Sequence, residues 1–527
     1  MTRNVYALLA PHLRPGNHAP AQRFPSAEGW SRRDYSELNA LVRGVAARLQ
    51  ALGVGRGDRV AILLDTRADW TVVDLAAALI GAPLVPVYPT SAPAQIIDVV
   101  RRARPALLIV DSERVLPDLG SQAVVRVGST DGDLGELSPA NAEPVAVDVV
   151  GDDLFTISFS SGSTGTPKGC LLSHSNYVAV LDAAIAAETH PMRALAHREA
   201  AFVFLPLAHA SARLQQLTTL VAGGELVYGT GDTAQLLAQI AEVRPTYVPG
   251  VPRFFESAYL RAGRDATVLR EMFGDRLVYA LTGGAPIAPE MLATYESAGI
   301  PLVEGYGLTE TSTALAIATP HLNRAGTVGR PLPGVQISIA DDGEILARGA
   351  NVFSGYLDDE AATSAAFRDG WFLTGDLGHI DAEGFLVVTG RKKNLIVTST
   401  GKNVAPEPAE NQFRQACSID GVVVVGDARP FLIAVVTTGE HPADDAELLA
   451  AARSINAAVS PPERIRKIVV VGASLSLAGG EITASGKVVR QAVVDRFAAV
   501  IDDAYSGRTS VGVRVLDIEP RPLRAVG

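Results

Sequence analysis

Apolar residues along the first half of the chain recur at two alternating periods. Leu38, Leu41, Val42, Val45, Leu49 and Leu52 fall at helical spacing, and Gly53 and Gly55 follow as a stop. Arg59 to Leu64 then reads as a strand, Trp70 to Ile80 as a helix, and Leu84 to Tyr88 as a strand. A helix over Ala94 to Arg102 and a strand at Ala106 to Val110 continue the alternation. Two β-prone runs, Leu154 to Phe159 and Cys170 to Leu172, bracket a polar segment. The rhythm resumes with a strand at Ala201 to Leu205, a helix at Leu214 to Val221, and a strand at Glu225 to Tyr228. A helix at Thr233 to Val243 follows, with strands at Thr246 to Val248 and Arg276 to Leu281. Strand–helix alternation of this kind predicts an α/β fold of parallel sheets covered by helices.

The texture changes near residue 390. Gly421 to Gly426 and Phe431 to Thr437 read as a hairpin around Asp427 to Pro430, followed by a helix at Ala446 to Val459, a strand at Ile468 to Val471 and a helix at Val488 to Ile501. We expect a large N-terminal domain of helix-covered sheets, residues 1–390, and a small C-terminal α+β domain, residues 391–527. The short charged junction Gly390-Arg391-Lys392-Lys393-Asn394 suits a hinge better than a floppy linker.

Composition narrows the class. At 527 residues the chain exceeds one ordinary core, and 47% apolar content suffices for large ones. A net charge of −11, with no basic run longer than Arg391 to Lys393, argues against a nucleic-acid partner. Cys170 and Cys417 are too few for a disulfide framework, so a reducing cytoplasm fits. Met1 to Asn17 lacks a signal-peptide pattern, and no apolar run reaches membrane-spanning length, which leaves peripheral membrane contact open.

The densest candidate chemistry lies in Ser160-Ser161-Gly162-Ser163-Thr164-Gly165-Thr166-Pro167-Lys168-Gly169. Glycines let backbone N–H groups turn toward an anion, hydroxyls add donors, and Lys168 adds a compact cation, so the segment suits a polyphosphate. It is not a Walker A loop: Pro167 stands where the second glycine belongs, and Gly169 follows the lysine. The alternative is a flexible Ser/Gly turn, although a linker needs neither a lysine nor two flanking strands. Lysine is scarce: of 46 cationic residues only Lys168, Lys392, Lys393, Lys402, Lys467 and Lys487 are lysines. Glu304-Gly305-Tyr306-Gly307-Leu308-Thr309-Glu310 offers a ring open to stacking and a carboxylate suited to Mg²⁺ shared with nucleotide phosphates. The alternative there is a capping Thr-Glu at a helix start. Gly375-Asp376-Leu377-Gly378 sets one carboxylate between glycines, read either as a ribose ligand or as a turn aspartate, and Lys487 follows Gly486 on the small domain, where by itself it reads as a solvated charge at a helix start. Gly343 to Tyr356 reads as a strand and loop that support a site rather than act in it.

In this order the segments resemble the adenylate-forming superfamily, and most of all bacterial long-chain fatty-acyl-CoA synthetases. Leu205-Pro206-Leu207-Ala208-His209, Gly283-Gly284-Ala285-Pro286, Gly370 to Asp376 and Gly401 to Pro406 follow that branch. The resemblance implies a ligase that forms a carbon–sulfur bond. A fatty acid and ATP would give acyl-AMP and pyrophosphate, and coenzyme A would then give acyl-CoA and AMP. It places Ser161, Thr164 and Lys168 in the phosphate loop and Gly284, Ala285 and Tyr306 around adenine. Thr309 would touch phosphate, Glu310 would hold Mg²⁺, and Asp376 and Arg391 would bind ribose. Lys393 becomes the hinge of a mobile C-terminal domain, and Lys487 the lysine at the reacting carboxylate and α-phosphate. Thr164 and Glu310 join Lys487 as catalytic candidates. His209 would sit at the mouth of the acyl pocket, or else be a hydrogen-bonded histidine in a strand-to-helix turn. Where the family often has an acidic residue before an arginine, this chain reads Ala210-Ser211-Ala212-Arg213, which bears on the acyl pocket. Lys402, Arg429 and Lys467 are candidate cations for coenzyme A. Two other readings stand: an acyl-AMP ligase that loads a carrier protein, and an ATP-binding regulator without catalysis.

Overall fold

The computed structural model describes residues 3–139, 142–160, 167–186, 199–284, 287–399, 402–439, 443–483, 487–508 and 510–518. The chain is α/β, and its contacts divide it into two compact units. The larger comprises residues 1–338, 346–374 and 380–386; the smaller comprises 339–345, 375–379 and 387–527.

The larger unit contains two extensive sheets. In the first, seven strands run in the order Gly355–Tyr356, Lys168–Ser173, Leu154–Ser160, Leu84–Pro86, Val60–Leu63, Leu107–Asp111 and Val124–Val127. Val60–Leu63 pairs in parallel with both neighbours and is wholly buried, which is why it reads as an unbroken apolar run rather than an alternation. The helix Tyr35–Ala51 begins at a capping box between Asp34 and Glu37 and buries Leu38, Val42, Val45 and Leu49, the stripe expected from spacing. Gly53, at φ +87°, follows its end.

The second sheet has nine strands, ordered Arg330–Pro331, Ala316–Ile317, Leu302–Tyr306, Tyr279–Gly283, Tyr247–Gly250, Ala200–Val203, Glu225–Tyr228, Pro20–Ser26 and Gly29–Asp34. Its last two strands form a hairpin that the apolar pattern does not announce. Prolines, arginines and a glutamine dilute them; Gly29–Asp34 is an edge, which tolerates this, while Pro20–Ser26 pairs on both sides and its buried Gln22 donates to the Ala68 carbonyl at 2.9 Å.

In the smaller unit, Gly421–Val425, Leu432–Thr437, Ile465–Val471 and Val513–Asp517 form a four-stranded sheet in that order, its first two strands the expected hairpin. The single helix expected over Val488 to Ile501 is instead two, Arg490–Arg496 and Ala498–Ser506. The break falls at Phe497, which leaves helical geometry and packs with Val423, Val435, Val493 and Ile501. No helix among the described residues is long and apolar enough to cross a membrane.

Glu199, just before the strand Ala200–Val203, is buried, and its carboxylate oxygens have no hydrogen-bond partner among the described residues. Burial pushes its pKa from 4.5 up to about 8. The folded chain therefore keeps a proton that the unfolded chain releases. Stability falls as pH rises from the unfolded value toward the folded one, and the loss is complete above it. Glu199→Gln, which cannot ionise, is expected to flatten this slope, so that the stability the parent loses between pH 5 and pH 8 is no longer lost. Urea unfolding at pH 5 and pH 8 checks it; an unchanged pH slope contradicts it.

Candidate active site

In the larger unit, the strands Leu154–Ser160 and Lys168–Ser173 are antiparallel, and Ser160 pairs with Lys168 at the stem of the phosphate-loop segment. The loop residues Ser161 and Thr164 lie outside the described residues. The Lys168 ammonium stands 5.0 Å from the centroid of the Tyr356 ring. Tyr356 donates its hydroxyl to Glu310 Oε1 at 3.0 Å, and Ser160 Oγ donates to the same oxygen at 3.4 Å. Burial, and then the Glu310 carboxylate, push the Tyr356 phenol far above its usual range, so it stays a donor. The same two causes raise the buried Cys170 thiol.

Glu310 is held by the 3₁₀ turn Thr309–Thr311, in which Thr311 Oγ1 accepts the Leu308 N–H at 3.0 Å, while the Glu310 carbonyl takes the Phe353 N–H at 2.8 Å. The turn starts at Gly307, where a Cβ would lie 1.9 Å from the Thr313 carbonyl oxygen, so only glycine fits. Thr309 is half-buried in this turn, and Tyr306 ends the strand before it. Beside Tyr306, Gly283 pairs with Gly305 on adjacent parallel strands, and Gly284 follows, exposed at φ +87°. Ala285 lies outside the described residues.

Arg102 is a residue the sequence did not single out. It projects from the helix Pro93–Ala103, donates to the Pro167 carbonyl, and sets its guanidinium 5.5 Å from the Phe159 ring. It thereby touches both strand ends that flank the phosphate loop. Tyr356 also escaped notice, because it lay in a segment read as support, whereas Ser160 stood at the head of the polyphosphate segment without a role of its own.

His209 is the N-cap of the helix Ala210–Val221, which starts four residues earlier than expected. Its Nδ1 accepts the Ser211 N–H at 3.2 Å and lies 2.7 Å from Ser211 Oγ, so the geometry contains the hydrogen-bonded turn histidine. Arg213 is buried and pairs with Asp74 at 3.0 and 2.5 Å beneath Phe155, so it is a core ion pair. The same helix carries Leu214, Gln215 and Thr218 to a narrow cavity also lined by Tyr247, Leu281 and Ile317. Tyr247 donates to Gln215 Oε1 at 2.5 Å across it.

In the smaller unit, the buried Asp376 pairs with Arg391 Nε at 3.0 Å. Lys392, beside Arg391, contacts Asp342 at 2.6 Å and the buried Glu344 at 2.8 Å, and both acids raise its pKa. Lys393 is exposed in the same 3₁₀ turn. Lys487 is exposed, its N–H accepted by Thr483 Oγ1 at 3.0 Å and its carbonyl taking the Thr483 N–H at 2.8 Å. Two candidate cations for coenzyme A are engaged internally: Arg429 pairs with Asp502, and Lys467 donates to the Ala504 carbonyl at 2.9 Å. Lys402 is exposed.

Among the described residues no cluster of three or more His, Cys, Asp or Glu is arranged to hold a metal ion. A lone carboxylate such as Glu310 fits Mg²⁺ all the same, because that ion keeps waters and shares phosphate oxygens.

A family model described as AMP-binding enzyme matches residues 13–357, and one described as AMP-binding enzyme C-terminal domain matches 393–509. The chain is 36% identical to the long-chain-fatty-acid–CoA ligase FadD15 of Mycobacterium bovis, over 95% of this chain and 97% of that one. The crystal structure of ATP-bound MatB from Rhodopseudomonas palustris aligns with a TM-score of 0.79 at 26% identity, covering 94% of this chain and 99% of that one. The Mycobacterium tuberculosis fatty acyl CoA synthetase has the same fold, with a TM-score of 0.68 at 22% identity, covering 94% and 98%.

Proposed function

Because the chain belongs to the AMP-binding enzyme family, we propose that it activates a medium- or long-chain fatty acid with ATP and transfers the acyl group to coenzyme A. It is a ligase that forms a carbon–sulfur bond. The fatty carboxylate attacks the α-phosphorus of ATP, the bond to pyrophosphate breaks, and acyl-AMP remains. The thiol of coenzyme A loses its proton to solvent and attacks the acyl carbonyl, and AMP leaves. Activation resides in the mixed anhydride, so no side-chain nucleophile is required.

The observation that carries this reading is the Lys168–Tyr356–Glu310 cluster, a cation and a carboxylate joined through one tyrosine at the phosphate-loop stem. Lys168, with Ser161, Thr164 and Thr309, serves the phosphates; Gly284, Ala285 and Tyr306 serve adenine; Asp376 and Arg391 serve ribose. Lys487 offsets the repulsion between the carboxylate and the α-phosphate. Mg²⁺, when held by Glu310, neutralises phosphate charge. The acyl chain is assigned to a pocket with His209 at its mouth. The domain junction lies near residue 390. Two buried free cysteines suit the cytoplasm.

The relatives named as CoA ligases favour free coenzyme A over a carrier protein. Mass spectrometry of products from fatty acid, ATP and Mg²⁺ tests this, with acyl-CoA expected. Acyl-AMP that persists with coenzyme A yet transfers to a phosphopantetheinylated carrier protein would overturn it.

The two half-reactions present different acceptors to one carbonyl, and backbone rotation at Lys393 serves the change between them. Lys393→Pro, which fixes φ near −65°, is expected to slow thioester formation about tenfold more than adenylation. Single-turnover rates of the two steps decide this, and equal rates to the parent would place the pivot elsewhere.

A further inference from the structure

Glu344 is buried, and each of its carboxylate oxygens is bonded. Oε1 accepts the Gly375 N–H at 3.0 Å, and Oε2 takes the Lys392 ammonium at 2.8 Å. Gly375 immediately precedes Asp376, and Lys392 immediately follows Arg391. The strands Glu344–Arg348, Trp371–Ile380 and Leu386–Arg391 belong to one sheet, and on it a single carboxylate adds a side-chain tie between the two segments that carry the Asp376–Arg391 pair, one residue from each partner. Asp342 reinforces the tie. It accepts the Glu344 N–H at 3.2 Å and binds Lys392 at 2.6 Å. Gly375 has a left-handed backbone, φ +70°, so the orientation of Asp376 is inherited from a glycine that Glu344 holds. All of these groups belong to the smaller unit.

We propose that Glu344 is a positioning residue for nucleotide recognition: by holding Gly375 and Lys392 together, it fixes Asp376 and Arg391 in the spacing that reads the vicinal ribose hydroxyls. The proposal rests on the reading that this pair binds ribose, and it adds what keeps the pair in place. Two hydroxyls on adjacent carbons need a carboxylate with both lone-pair directions set. A carboxylate held by its strand Trp371–Ile380 alone, without the Glu344 anchor at Gly375, still attracts the nucleotide but discriminates less between hydroxyls. Glu344→Gln keeps an oxygen for Gly375 and loses the ionic bond to Lys392. Glu344→Ala loses both. Lys392→Met keeps the Gly375 bond.

The test compares kcat/KM for ATP with that for 2′-deoxy-ATP and 3′-deoxy-ATP in fatty-acid-dependent adenylation by the full-length protein, alongside thermal melting. The parent is expected to prefer ATP, and Asp376→Asn to abolish the preference. Glu344→Ala is expected to raise the KM for ATP about tenfold, the scale of one charged hydrogen bond, and to leave the deoxy analogues nearly unchanged, so that the preference collapses. Glu344→Gln and Lys392→Met fall between. If the Glu344 variants lose activity equally on all three nucleotides, or lose melting temperature with the preference intact, Glu344 is merely structural and the proposal fails. If Asp376→Asn itself keeps the preference, the ribose reading fails first and takes this proposal with it. The Asp376 and Glu344 variants therefore separate the two failures.

Discussion

Replacing Lys487 with alanine should lower acyl-AMP formation by about a thousandfold, the scale at which a single preorganised donor is lost from a charged transition state. Thioester formation from supplied acyl-AMP should be largely spared. The asymmetry follows from the chemistry. In the first half-reaction a carboxylate approaches a polyphosphate, anion against anion, and an ammonium offsets that repulsion. In the second, a thiol attacks a carbonyl already activated by AMP, and the demand for that cation is gone. Lys487 is suited to a side-chain role because its backbone is fixed independently of its ammonium, through the two bonds with Thr483. Alanine keeps both. Rapid-quench measurement of each half-reaction separates the outcomes, and an equal loss in both would sink the assignment.

Glu310→Gln should reduce adenylation by about a hundredfold and raise the Mg²⁺ concentration needed for half-maximal rate. Glutamine keeps an amide oxygen to accept the hydroxyls of Tyr356 and Ser160, so the local fold should persist and melting temperature should change little. Only the negative charge is removed. Magnesium titration of fatty-acid-dependent adenylation checks this. A variant with an unaltered Mg²⁺ dependence would show that the carboxylate serves only the Tyr356 and Ser160 hydroxyls.

What the sequence made legible follows from how each feature is encoded. Buried parallel strands such as Val60–Leu63 and Leu107–Asp111 are continuous apolar runs, and the helix Tyr35–Ala51 has both a stripe and a capping box, so local pattern suffices. The hairpin Pro20–Ser26 and Gly29–Asp34 is diluted by polar residues: Gly29–Asp34 is an edge that needs less burial, and Gln22 of Pro20–Ser26 is buried with a partner distant in sequence, the Ala68 carbonyl. The break falls at Phe497, which shares an apolar cluster with Val423 and Val435, more than sixty residues away, and no local periodicity carries such a grouping. In the site, glycines and isolated charges drew attention to Lys168, Glu310, Asp376 and Lys487. Tyr356, Arg102 and Glu344 act through partners distant in sequence: Glu310, Pro167 and Lys392 respectively. A tyrosine, an arginine or a glutamate in an ordinary strand or helix has no local signature of such a contact. His209 shows the converse, since a residue marked by its motif proves to cap its own helix through Ser211.

The central claim is that the chain makes acyl-AMP from a fatty acid before any thiol is involved. Exchange of labelled pyrophosphate into ATP measures that step alone, with Mg²⁺ present, coenzyme A absent and a panel of carboxylic acids supplied one at a time. The account predicts exchange that depends on a medium- or long-chain fatty acid and is lost in Lys487→Ala. Exchange independent of added acid, or absent with every fatty acid in the panel, would contradict it.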